Sequence, residues 1–167
     1  MTEQEKRLRR LCFTGHRPEK IVESEEEVKV MLEKEIKEAA EEGFNVFISG
    51  MSRGVDIWAA ETVLKMKEKN TDIKLVAACP FPEFDSRWVN ADRIRLKNAL
   101  DKADFVICIS KAYSKDVYQK RNEWMVDHCT RVIAVYSGEN SGTKNTVKYA
   151  LKNNIKVKYI HVCPSNI

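Results

Sequence analysis

Residues 47–56, FISGMSRGVD, put two glycines, a serine, an arginine and an aspartate directly behind an apolar run. The chain has only six glycines, so two of them four residues apart point to a backbone that must turn sharply or approach something closely. Such a loop suits anion holding. Gly50 lets the chain leave a strand, Met51 and Ser52 offer amides and a hydroxyl, and Arg53 adds positive charge. Gly54 then lets the first turn of a following helix come near, and that helix start carries roughly half a positive charge. Asp56 has two readings: a cap for the helix, or an acceptor for a ribose hydroxyl or a base. Asp56 and Glu61 are also the candidate catalytic carboxylates, with Glu61 equally readable as a helix-surface acid.

Two further loops carry similar chemistry. In FTGHRPEK (13–20), Thr14 and Gly15 turn the chain while His16 and Arg17 are placed to meet an anion. The plainer alternative is that Thr14 and His16 satisfy loop backbone groups and Arg17 is surface. In SGENSGTKNT (137–146), Gly142 and Thr143 open a helix with free amides and a hydroxyl, and Thr146 lies one turn later. In YQKRNEWMVDHC (118–129), Arg121 and Asn122 sit near a helix start and could hold a phosphate or base, whereas Trp124, Met125 and His128 read as structural. In DSRWVNADR (85–93), Arg87 could contact an anion and Trp88 could shield it. No metal constellation is visible: the three histidines lack an i, i+4 partner and no acid cluster has calcium-loop spacing. Neither a G-x-S-x-G elbow nor a G-K-[ST] phosphate loop is present.

The elements that must position these residues follow from hydrophobic patterning. Short apolar runs predict strands at 11–15, 45–50, 74–79, 104–110, 131–137 and 156–162, the first five buried on both faces. Amphipathic stretches predict helices at about 24–42, 55–69, 86–102, 119–129 and 143–153. Ser24 with Glu27 forms a capping box for the first of these and Gly43 ends it. Alternating strands and helices predict parallel pairing with right-handed crossovers. The expected fold is a three-layer, Rossmann-like α/β sandwich with a mostly parallel central sheet, one domain over 1–167. Gly15, Gly50, Gly54, Gly138 and Gly142 all fall just past predicted strand ends, the rim where ligands of such sheets bind.

Composition narrows the classes. With 43% hydrophobic and 32% charged residues the chain is ordinary globular material. No run approaches the ~20 apolar residues of a membrane span, and MTEQEKRLRR is not the pattern of a secretory signal. Five scattered cysteines without a C-x-x-C pair fit a reducing cytoplasm. The net charge of +4 suits an anionic small molecule and argues against nucleic acid as partner.

The stretch SGMSRGVDIWAAE resembles the S-G-x-x-x-G-[IV]-D signature of the SMF/DprA–LOG (SLOG) superfamily. CFTGHRPEK (12–20) and RNEWMVDHCTRVIAVYSG…GT (121–143) resemble its YpsA-like family. The resemblance implies a Rossmann-like fold and a nucleotide or nucleotide-derived ligand. It also allows a homodimer, whose interface the sequence does not mark. LOG-type enzymes, which cleave the N-glycosidic bond of nucleoside monophosphates, resemble G-G-x-G-T-x-x-E where this chain has Gly142-Thr143-Lys144-Asn145-Thr146. A threonine cannot replace the glutamate in stabilising an oxocarbenium-like centre. The expectation is therefore a cytoplasmic protein that binds or senses an NAD-like, ADP-ribose-like or nucleoside phosphate ligand. The alternatives are a LOG-like hydrolase and a DprA-like binder of single-stranded DNA.

Overall fold

The computed structural model describes residues 1–166. Six strands, β1 (Arg10–Gly15), β2 (Val46–Ser49), β3 (Lys74–Cys79), β4 (Phe105–Cys108), β5 (Arg131–Tyr136) and β6 (Lys156–His161), form one sheet in the order β4-β3-β2-β1-β5-β6. Every neighbouring pair is parallel. The helices are α1 (Glu3–Arg7), α2 (Glu25–Glu41), α3 (Val55–Lys67), α4 (Asn90–Lys102), α5 (Val117–Asp127) and α6 (Gly142–Lys152), with a short 3-10 turn at Pro18–Lys20. Among the described residues no helix is long and apolar enough to cross a membrane.

Strand periodicity divides the core in two. Leu11, Phe13, Phe47, Leu75, Ile133 and Val135 point to one face, where they meet Val28, Leu32, Ile36 and Ala39 of α2 and Ala59, Ala60 and Val63 of α3. Their strand neighbours Cys12, Ile48, Ala78, Val132 and Ala134 point to the other, against Met125 and Val126 of α5 and Val147 and Ala150 of α6. The result is a helix–sheet–helix sandwich, in which each fully buried aliphatic or aromatic side chain contributes about 1.5–3 kcal/mol. α2 starts at the predicted capping box, where Ser24 Oγ accepts from the Glu27 amide at 3.2 Å and Glu27 Oε2 accepts from the Ser24 amide at 2.8 Å. It stops at Gly43, which has φ +104°.

Three elements differ from expectation. β4 is shorter than 104–110 and is not buried: Phe105 is 63% exposed and Val106 50%. It is the sheet edge, because the chain returns from it through α5 to place β5 beside β1, so no strand covers its outer side. α4 begins at Asn90 rather than near 86, since Glu83 takes φ +60° and turns at Ser86 and Trp88 precede the helix. The five-residue α1, capped by Thr2 and Glu5, was not expected from the pattern, being too short to show hydrophobic periodicity.

The strand order places a topological switch at β1. From β1 the chain builds outward through β2, β3 and β4, then restarts on its other side with β5 and β6. The loops leaving β1 and β5 therefore diverge and open a crevice beyond the carboxyl ends of the strands, the usual ligand position in open α/β sheets.

Candidate functional site

A cavity of about 280 Å³ occupies that crevice. Thr14, Gly15, His16 and Arg17 line it from the end of β1 and the loop after it, and Ser52, Arg53 and Asp56 from the loop after β2 and the start of α3. Arg121 and Asn122 enter from the first turns of α5, and Gly142 and Thr143 from the start of α6. The N-terminal segments of three helices thus face one space, and among their first-turn amides those of Ile57, Val117 and Lys144 are already held by Ser52, Ser114 and Ser141. The combined dipoles make the cavity electropositive.

The β2–α3 loop is held by its own polar groups. Ser49 Oγ donates to the Asp56 carbonyl at 2.8 Å and accepts from the Met51 amide at 3.2 Å. Asp56 Oδ2 accepts from the Ser52 amide at 3.2 Å, so the side chain ties the loop back instead of capping α3. The cap position belongs to Gly54, at φ +86°, where an added Cβ would lie 2.7 Å from Pro18 Cδ. Arg121 clamps the same loop from across the sheet. Its guanidinium, in a side chain only 3% exposed, donates to the Gly50 carbonyl, to the Ala78 carbonyl at 3.4 Å and to Ser52 Oγ at 3.2 Å. Its Nε donates to Asn122 Oδ1 at 2.8 Å. A Cβ at Gly50 would sit 2.7 Å from the guanidinium carbon, so a larger residue there would displace the Arg121 clamp.

Charge in the cavity is unevenly committed. Burial pushes the Asp56 carboxyl up from 3.8 to about 6, even though the Arg121 charge and the Ser52 amide favour its ionised form. Burial holds His16 below its ordinary value. Its neutral Nε2 accepts from the Ser137 amide at 3.1 Å, linking the loops that leave β1 and β5, and its ring lies parallel to Tyr136. Arg53 is spent on Glu19 and Asp92, at 3.2 and 3.1 Å. Arg17 and Lys20 line the cavity and enter no ion pair among the described residues.

Some predicted residues lie outside the cavity. Met51, at φ +61°, is wholly buried in the core, and Gly50 and Gly54 are occupied by the close approaches just described. Thr146 is fully buried and donates its hydroxyl to the Gly142 carbonyl at 2.9 Å. Glu61 faces away, paired with Lys29 and Arg95. Besides the apolar Phe13, three polar lining residues were missed: Lys20, Tyr118 and Ser141. Each had a local signal. Lys20 follows Arg17 by one 3-10 turn, Tyr118 precedes Arg121 by three residues on one helix face, and Ser141 is the N-cap of α6, accepting from the Lys144 amide. Among the described residues no group of three or more metal-ligating side chains gathers.

Comparisons with known proteins agree with this architecture. The family model YpsA, described as the YspA SLOG family, matches residues 11–163. The uncharacterized SPbeta prophage-derived protein YoqJ of Bacillus subtilis (strain 168) is 36% identical over 118 residues, 64% of this chain and 69% of that protein. A UPF0398 protein of Ligilactobacillus salivarius (strain UCC118) is 32% identical over 119 residues, 70% of this chain and 65% of that protein. The matched stretch thus spans about two thirds of these relatives' length. DNA processing protein A of Streptococcus pneumoniae superposes with a TM-score of 0.67 at 20% identity, over 91% of this chain and 50% of that one. The Helicobacter pylori protein of the same name, whose structure describes a single-stranded DNA binding mode, superposes with a TM-score of 0.64 at 17% identity, over 94% and 66%. These two similarities establish the shared fold.

Proposed function

The chain belongs to the YpsA family of SLOG proteins, and from that premise we propose that it binds a phosphorylated, nucleotide-derived small molecule in the crevice beside β1, as a cytoplasmic binding or sensing protein. One observation carries this: the N-terminal segments of three helices and two cations without an ion pair among the described residues, Arg17 and Lys20, line a single cavity. A phosphate there would receive first-turn amides and a charge-assisted hydrogen bond, the stronger kind. The near-balanced net charge of +4 favours such a ligand over single-stranded DNA. Calorimetry against ribose phosphate, nucleoside monophosphates, ADP-ribose and NAD tests it. At least one is expected to bind, and Arg17→Ala with Lys20→Ala should weaken it at least tenfold, about 1.4 kcal/mol. Absence of binding across the panel would refute the proposal.

A second reading, N-glycosidic hydrolysis, is favoured by one feature, the cavity-lining Asp56 carboxyl raised to about 6. A group poised there can exchange protons near neutral pH. Neither Thr146 nor Glu61 can assist it from its place in the fold. Release of base from nucleoside monophosphates that is lost in Asp56→Asn would promote this reading over binding alone.

A further inference from the structure

A second, larger cavity adjoins the first. It measures about 730 Å³ and is walled by Phe81, Phe84, Trp88, Tyr113 and Tyr118, with Arg17 and Arg87 at its edge. Arg17 and Tyr118 line both spaces, so the two share a wall. Its walls come from the loops after β3 and β4, on the same carboxyl-end rim as the phosphate-sized crevice.

The aromatic side chains here straddle the edge of the core: Phe84 is buried in it, Phe81 and Trp88 pack against it, and Tyr113 and Tyr118 stand outside. Phe81 meets Phe84, Tyr113 and Tyr118 edge-on, with centroids 6.5, 5.8 and 6.2 Å apart and interplanar angles of 72–81°. Phe84 meets Trp88 edge-on at 5.4 Å. Ring surface of Tyr113 and Tyr118 meets solvent, at 68% and 37% exposure, with the Arg121 guanidinium over one face of Tyr118 at 5.8 Å from its centroid. Loop aromatics that only pinned two turns together would bury this surface. Arg87 is exposed and enters no ion pair among the described residues, so its planar guanidinium is also free to stack.

Resting on the proposed anion site, the geometry points to this aromatic basin as the seat of the ligand's nucleobase. The phosphate would lie in the crevice by Arg17, and the sugar would pass Tyr118 at the junction. The smaller cavity, about 280 Å³, falls just below the range that encloses a drug-sized ligand, about 300–1,000 Å³. A sugar phosphate fits that space, whereas a whole nucleotide needs the neighbouring one. Stacking on aromatic faces tolerates any base, so the basin selects for the presence of a base more than for its identity.

The test is calorimetry of the full chain with ribose phosphate, the matching purine nucleoside monophosphate and a single-stranded oligonucleotide. The nucleotide should bind at least tenfold more tightly than ribose phosphate. Tyr113→Ala, at an exposed loop position, should remove that advantage while leaving ribose phosphate affinity unchanged, and Tyr113→Phe should preserve it. Equal affinities in the wild type, or an equal loss for both ligands in Tyr113→Ala, would overturn the basin and leave the anion site standing. Binding of neither would overturn both. Tighter binding of the oligonucleotide than of the nucleotide would make the aromatic surface a platform for a strand and overturn the one-base pocket.

Discussion

Replacing Asp56 by asparagine should stabilise the protein, and by an amount that depends on pH. The folded state raises the carboxyl from 3.8 to about 6, mainly through burial. At about 1.36 kcal/mol per tenfold change in the proton equilibrium, ionising Asp56 at neutral pH opposes folding by about 3 kcal/mol. The sign is set by the direction of the shift. Below about pH 4 the carboxyl is protonated in both states and exerts no penalty. As pH rises toward 6 the unfolded chain ionises first, so stability falls, and above about 6 the loss is complete. Asparagine retains an oxygen for the Ser52 amide and has no proton to lose. In urea titrations at several pH values, the stability of Asp56→Asn relative to wild type should rise by up to about 3 kcal/mol between about pH 4 and 7. For a chain of this size that corresponds to about 6–12 °C in Tm. A difference that stays flat with pH, or a variant that loses ground as pH rises, would show the carboxylate to be stabilised by Arg121 and refute the reasoning.

Other perturbations separate structural from ligand-facing roles. Gly50→Ala should destabilise by about 1–3 kcal/mol through overpacking against the Arg121 guanidinium. Combined with Arg121→Ala, it should cost less than the sum of the single changes in a denaturation double-mutant cycle. Ser24→Ala should lower stability by about 1 kcal/mol, read by the same denaturation, because it removes half of the α2 capping box. Native-state titration with a thiol reagent should label Cys108 and Cys163 quickly and leave Cys12, Cys79 and Cys129 unreacted until unfolding, since those three are buried and burial pushes the Cys79 thiol up to about 12.

Much of the architecture is local in origin and was readable in the chain. The stripe Val28, Leu32, Ile36 and Ala39 specifies a helix and its buried face. The short apolar runs specify strands, and alternation of the two types specifies a parallel, doubly covered sheet. The glycines marked the rim for two reasons: Gly54 and Gly138 take left-handed backbone, a local need, whereas Gly15 and Gly50 make room for Val55 and Arg121. Contacts between distant segments decided the rest. Arg121 looked like a phosphate ligand, but the tertiary fold buries it against the Gly50 carbonyl, 71 residues away. Arg53 is neutralised by Glu19 and Asp92, which no spacing rule links to it. β4 carries the apolar signature of a central strand yet lies at the edge, because strand order is fixed by crossovers and not by composition. The aromatic basin likewise joins loops after β3 and β4 that the sequence keeps about thirty residues apart. Periodicity encodes which face of an element is buried; only the packed chain determines which partner buries it and which charges are left free for a ligand.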